Sequence, residues 1–231
     1  MSFHIYTINL KTTKHRCRLI QKALNTLPQE DVANIVSSLK GNVWLLVHDH
    51  NGNHVIQRSI IKINELVTTT TPQSQPSSPP YKEEEEENDE ALQRSSLVHA
   101  LDIIIEEIIN SINDLVVHPY GCRVVQRLIE HCFGEQKTKV LDCIFNDNDT
   151  LPQLLMNHEY GNYVIQRALT YGRRSDKVRV FETIVGNDIM LLSKQKHSSN
   201  VVEMMLTYGD VGQRHQIIES ILDVSFVVVF D

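Results

Sequence analysis

The sequence predicts an all-α repeat array, an α-solenoid, on three observations. Apolar residues recur at helical spacing through most of the chain, as in Leu97 to Asn113 (LVHALDIIIEEIINSIN), and strand-like alternation is scarce before the final Val224 to Phe230. One short phrase returns five times: HRCRLIQKAL from His15, NGNHVIQRSI from Asn51, YGCRVVQRLI from Tyr120, YGNYVIQRAL from Tyr160 and HSSNVVEMML from His197. Anchored on the third residue of each (Cys17, Asn53, Cys122, Asn162, Ser199), the copies lie 36, 69, 40 and 37 residues apart, which is the period of a helical solenoid unit in every interval but one.

The elements follow in order. Residues 1–66 hold the first two units, and Glu30 to Leu39 and Val43 to Val47 supply further apolar segments ahead of the second phrase. Equivalent segments precede the later copies at Leu115, Leu154 and Ile189, so each unit is expected to contain two or three helices. Residues 67–96 (VTTTTPQSQPSSPPYKEEEEENDEALQRSS) form a Thr/Ser/Pro/Gln tract followed by an acidic run. Such a composition buries too little apolar surface to fold, so it reads as a disordered insertion that accounts for the long interval. Three further units are expected over 97–222. Pro28 and Pro152 fall near helix starts, and Gly134, Gly172 and Gly209 after helix ends. The tail 223–231 is apolar, matches no repeat and carries an aggregation risk, so the chain reads as a truncated or mis-spliced product.

Composition bounds the function. Hydrophobic residues make up 41% of the 231 and charged residues 22%, as in an ordinary soluble protein. No apolar run approaches the ~18 to 20 residues of a membrane span, and Met1 to Leu10 lacks the pattern of a secretory signal. Cys17, Cys122, Cys132 and Cys143 form no CxxC pair and read as the reduced thiols of an intracellular chain. The net charge of −7 argues at first against a nucleic-acid partner. Lys82 to Glu90, however, holds seven acids and one lysine, which leaves about −1 for everything else. Affinity for a polyanion would then lean on base contacts as well as charge.

Placed on a helix, the repeated phrase separates into two faces. With Cys122 at zero, Arg123 falls at about 100° and Gln126 at about 40°, whereas Val124, Val125, Leu128 and Ile129 spread from about 200° to 340°. The apolar face packs; the polar strip recurs from unit to unit. Its residues are Cys17, Arg18, Gln21; Asn53, His54, Gln57; Cys122, Arg123, Gln126; Asn162, Tyr163, Gln166; and Ser199, Asn200, Glu203. Arg18, His54, Arg123 and Tyr163 each offer a flat face on which a base can stack, for about 1 to 3 kcal/mol, and Asn200 holds the fifth middle position. The outer residues, Asn, Cys or Ser with Gln or Glu, carry groups that can read a base edge. A single such pair is most often a solvated helix face; five in register point to a shared surface.

These phrases resemble the repeats of the Pumilio family of RNA-binding proteins, over most of the chain outside the insertion, in the order of the family's third to seventh repeats of eight. The resemblance implies a superhelix of three-helix repeats that reads single-stranded RNA about one base per repeat, with the middle residue stacking and the outer pair on the base edge. It further implies that Asn with Gln reads uracil, Cys or Ser with Gln reads adenine, and Ser with Glu reads guanine. The last has a simple basis, since the Glu203 carboxylate only accepts and guanine's edge offers N–H donors. Because the family binds RNA antiparallel, the implied readout is 5′-GUAUA-3′, within the UGUA-type element of mRNA 3′ untranslated regions. Repression or decay of target messages by a cytoplasmic monomer, with deadenylation or repressor proteins as partners, follows from the same resemblance. Arg16 stands where the later phrases have Gly or Ser, a departure in the first unit.

Other readings carry less. His48, His50 and His54 match no standard zinc spacing and lack a nearby cysteine. Cys17 and Cys122 have neither a base nor an orienting group for nucleophilic chemistry, so the sequence makes no case for an enzyme, a metal or a cofactor. The alternative from another class is an armadillo- or HEAT-like scaffold whose ladder of side chains grips an extended peptide.

Overall fold

The computed structural model describes residues 13–69, 84–145 and 150–227. Among them are fourteen helices and no strand. Two compact units divide at Ser111 and Ile112. The N-terminal unit contains α1 (Lys14–Thr26), α2 (Gln29–Ser37), α3 (Val43–His48), α4 (Gly52–Thr69) and α5 (Glu84–Ile109). The C-terminal unit contains α6 (Ile112–Leu115), α7 (Gly121–His131), α8 (Gly134–Phe145), α9 (Thr150–Asn157), α10 (Gly161–Tyr171), α11 (Arg174–Val185), α12 (Ile189–Lys194), α13 (Ser198–Tyr208) and α14 (Val211–Val227). A cycle of short helix, phrase-bearing helix and outer helix therefore runs four times, from α3, α6, α9 and α12, and the first phrase on α1 is followed by its outer helix α2.

The phrase-bearing helices stack on one another within each unit: α1 on α4 in the first, and α7 on α10 on α13 in the second. Their aliphatic residues cause this. Val55, Ile56 and Ile60 of α4, Val124, Val125 and Leu128 of α7, and Val164, Ile165 and Leu169 of α10 have no exposed surface. Each such side chain contributes about 1.5–3 kcal/mol by leaving water. The outer helices close the other side of the core through Val140 and Ile144 of α8, Val180 and Ile184 of α11, and Ile217 of α14.

Polar joints fix the register between successive cycles. In the C-terminal unit the Arg173 guanidinium donates to Asp142 and Asp176, both at 2.7 Å, and Lys137 Nζ donates to the Tyr171 carbonyl at 3.3 Å. Gln153 Nε2 meets Asn187 Oδ1 at 2.7 Å, and Arg179 donates to the Phe145 carbonyl. In the N-terminal unit the Glu107 carboxylate of α5 accepts the backbone N–H groups of Gly41 and Val43 at 2.5 and 3.1 Å, placing negative charge at the amino end of α3.

The short helix meets the start of the phrase-bearing helix at backbone distance. A Cβ on Gly52 would lie 2.7 Å from the Leu46 carbonyl oxygen, and one on Gly121 would lie 2.6 Å from that of Leu115. At Gly161 the obstacle is the Leu155 side chain, at 2.7 Å. Ser198 holds the same place in the last cycle, where it is buried and its Oγ donates to the Leu192 carbonyl at 2.8 Å.

Three boundaries differ from the sequence reading. The expected insertion is helical at both flanks: α4 continues through Thr69, with the Thr68 and Thr69 hydroxyls donating to carbonyls a turn back, and α5 starts at Glu84 within the acidic run. Glutamate is a good helix former; residues 70–83 lie outside the described residues. The apolar stretch Leu97 to Asn113 is divided at Asn110 and Ser111, and its first part packs on α2, α3 and α4 in the N-terminal unit. Val224 to Val227 belong to α14, because extending an existing helix adds one hydrogen bond per residue fixed and outweighs a β-branched preference; residues 228–231 lie outside the described residues. Gly134 follows the end of α7 as expected and also opens α8, with φ +56.

Gly121→Ala is expected to lower stability by about 1–3 kcal/mol, the usual cost of overpacking against a neighbour that cannot move aside. Urea unfolding followed by circular dichroism checks it, and an unchanged midpoint would count against the close approach.

Candidate nucleic-acid interface

Each triplet lies on its phrase-bearing helix, and those helices pack on one another within a unit. α1, which carries Cys17, Arg18 and Gln21, packs on α4, which carries Asn53, His54 and Gln57. α7, which carries Cys122, Arg123 and Gln126, packs on α10, which carries Asn162, Tyr163 and Gln166, and α10 packs on α13, which carries Ser199, Asn200 and Glu203. Arg18, His54, Arg123 and Tyr163 are exposed. Asn200 is half-buried, and its amide donates to the Lys196 carbonyl at 3.2 Å.

The outer residues are not equally exposed. Cys17, Asn53, Cys122 and Asn162 are buried, with Gln21, Gln57 and Gln166 half-buried beside the first, second and fourth of them. Gln126 is buried too, at 9% exposure; Ser199 is half-buried and Glu203 exposed. In the two Asn/Gln cycles the hydrogen bonds are the same. Asn53 Nδ2 donates to the carbonyls of Asp49 and His50 at 2.9 and 2.8 Å and Asn53 Oδ1 accepts from Gln57 Nε2 at 2.8 Å. Asn162 Nδ2 donates to the carbonyls of His158 and Glu159 at 2.7 and 3.0 Å and its Oδ1 accepts from Gln166 Nε2 at 2.8 Å. Both amide protons of each asparagine are thus committed to loop carbonyls, which fixes its oxygen toward the glutamine. The glutamine then faces outward with one N–H and one carbonyl oxygen to offer.

The loop supplying those carbonyls is held by a residue that the repeated phrase did not reveal. Asp49 Oδ1 accepts the N–H groups of Asn51 and Gly52 at 2.9 and 2.6 Å. His158 Nδ1 accepts those of Tyr160 and Gly161 at 3.1 and 3.3 Å, and His118 Nδ1 those of Tyr120 and Gly121 at 3.3 and 3.1 Å. Gln195 Oε1 accepts from the Ser198 hydroxyl at 3.1 Å, and Thr13 Oγ1 from the Arg16 N–H at 3.5 Å. Each lies four residues before the first member of its triplet, and each has a side-chain acceptor. The spacing was available in the sequence; the mixture of Thr, Asp, His and Gln concealed it.

Flanking charge is partly tied up. Arg127 donates to Glu130 at 2.5 Å, and Arg167 lies 4.0 Å from the same carboxylate with its guanidinium 5.7 Å from the Tyr171 ring centroid. Burial pushes the Cys122 thiol up to about 11, against the opposing pull of the Arg123 charge and a hydrogen bond from Gln126, and raises Cys17 as well. Both shifts lower the share of thiolate at neutral pH. His48, His50 and His54 do not converge: among the described residues no group of three or more His, Cys, Asp or Glu side chains is placed to hold a metal ion.

A model of the Pumilio-family RNA binding repeat matches residues 17–39, 42–66, 111–145, 154–185 and 188–222, more than half of the chain. The chain belongs to the Pumilio family. Among its relatives, Pumilio homolog 12 of Arabidopsis thaliana is 26% identical over 94% of this chain and 30% of its own length. Suppressor protein MPT5 of Saccharomyces cerevisiae is 28% identical over 85% of this chain and 20% of its own length, so the chain spans less than a third of either relative. Several solved structures resemble it. PUF-8 in complex with PBE-RNA gives a TM-score of 0.69 at 27% identity, over 90% of this chain and 50% of that one. The Puf3 RNA binding domain bound to a Cox17 RNA 3′ UTR recognition sequence gives 0.67 at 30% identity, over 88% and 50%. The α-solenoid class expected from the repeats is thus the observed one.

With its thiol raised from 9.0 to about 11, Cys122 is expected to react with iodoacetamide at pH 8 about 100-fold more slowly than a free cysteine, since only the thiolate attacks. Mass spectrometry of a labelling time course checks this; labelling at the free-thiol rate would contradict it.

Proposed function

We propose that this chain binds single-stranded RNA in a sequence-specific manner, each phrase-bearing helix addressing one base. The observation that carries the reading is the oriented Asn/Gln pair, found with the same hydrogen bonds at Asn53/Gln57 and Asn162/Gln166. Each sits beside an exposed planar residue, His54 or Tyr163. A surface that only had to be wet would have no use for an amide whose donor and acceptor ends are fixed, whereas selecting uracil by its N–H and carbonyl groups requires it. Where the pair changes to Cys/Gln or Ser/Glu, the hydrogen-bonding character of the position changes with it.

The proposed target is 5′-GUAUA-3′, read from Ser199/Glu203 back to Cys17/Gln21, within a UGUA-type element of an mRNA 3′ untranslated region. The proposed outcome is cytoplasmic repression or decay of that message, with deadenylation or repressor proteins recruited by an otherwise monomeric chain. Near-neutral charge outside the acidic run makes base contacts a large share of the affinity.

Fluorescence anisotropy of the full chain at fixed salt, with a short RNA containing GUAUA and the same RNA with guanine changed to cytosine, tests the reading. Discrimination of at least ~10-fold, about 1.4 kcal/mol, is expected. Ser199→Asn combined with Glu203→Gln is expected to move the preference at that base from guanine to uracil. Equal binding of all these RNAs by a folded chain would defeat the proposal.

A further inference from the structure

The two Asn/Gln cycles share a chain of contacts that begins outside the triplets. His158 accepts the N–H groups of Tyr160 and Gly161 on its Nδ1, so the ring proton sits on Nε2. Its own carbonyl and that of Glu159 accept both protons of the Asn162 amide. Asn162 Oδ1 in turn accepts from Gln166 Nε2. The same sequence runs from Asp49 through its carbonyl and that of His50 to Asn53 and Gln57. Histidine in one cycle and aspartate in the other hold the same loop in the same way, so what matters there is an acceptor at that spot.

Donor and acceptor direction is the information this relay carries. An amide is nearly symmetric in shape, so packing alone does not decide which end faces which neighbour. Only the two loop carbonyls do, by refusing an oxygen. Were they displaced, Asn162 could turn its Nδ2 toward Gln166, and the glutamine would reverse to present its opposite polarity outward. Uracil and cytosine differ in that respect: uracil has N–H at N3 and an oxygen at C4, where cytosine has a bare N3 and an amino group. A reversed relay would accept the wrong pyrimidine.

We propose that His158, and by the same geometry Asp49, is a positioning residue for base selection: by holding the loop before the helix it locks the Asn/Gln pair in the one polarity that admits uracil and excludes cytosine. This rests on the RNA-binding reading above. It adds to that reading a residue that touches no base.

The test is anisotropy of the full chain with RNA containing GUAUA, GCAUA or CUAUA. These give a uracil/cytosine ratio at the base facing Asn162 and, independently, a guanine/cytosine ratio at the base facing Ser199. The starting protein is expected to favour uracil by ~10-fold or more. In His158→Ala that ratio should fall below ~3-fold while the guanine ratio stays within ~2-fold of its starting value, and His158→Asp should restore the uracil ratio. If His158→Ala keeps both ratios, if it loses both together, or if aspartate fails to restore the first, the positioning role is wrong. If the unaltered chain shows neither ratio, the RNA-binding reading falls and the inference with it.

Discussion

The close approach between each short helix and the helix that follows governs the rest of the molecule. With Gly52 and Gly121 against the carbonyls of Leu46 and Leu115, and Gly161 against the Leu155 side chain, the intervening turn is compressed into a few residues. That compression brings two loop carbonyls over the first turn of the next helix, where an asparagine side chain can reach both. It also lets one acceptor, at Asp49, His118 or His158, gather the N–H groups that open the helix. Ser198 reaches a related result by bonding the Leu192 carbonyl. Packing at a glycine and orientation of an amide on the very next residue, as at Gly52 and Asn53 or Gly161 and Asn162, are one constraint seen at two places.

Much of this was legible in the sequence because repetition multiplies weak signals. One phrase with aliphatic residues on one face of a helix is ambiguous; five in register fix the phrase-bearing helices, with Gly172 and Gly209 at the ends of α10 and α13 and Pro28 at the start of α2, as expected. The triplets could be named because a helix places residues one and four positions on along one strip. What could not be read was exposure: Asn53 and Asn162 look like surface residues in sequence, yet they are buried beneath the turn that precedes them. Burial there depends on a loop folding back, which no helical periodicity encodes. The acceptors at Thr13, Asp49, His118, His158 and Gln195 escaped for the opposite reason, since a shared role was distributed over four residue types.

The acidic segment shows where composition leaves the edge of an insertion open. A run of glutamates has too little apolar surface to fold alone, but joined to Leu97, Ala100, Leu101, Ile104 and Ile108, which are buried, it becomes the leading turns of an anchored helix. Nucleation is the costly step in helix formation, and a buried carboxyl-terminal half supplies the nucleus for a polar amino-terminal half. Fold class is insensitive to this; the boundary of an insertion is not.

The polar joints of the C-terminal unit have a consequence for how the chain folds. Arg173 to Asp142, Lys137 to Tyr171, Gln153 to Asn187 and Arg179 to Phe145 each connect residues 31 to 34 positions apart. Closing one joint therefore costs about the same loop entropy as closing the next, and none must wait for a distant segment of chain. Such a unit has low contact order, and its assembly can advance like a zip from any cycle that forms first.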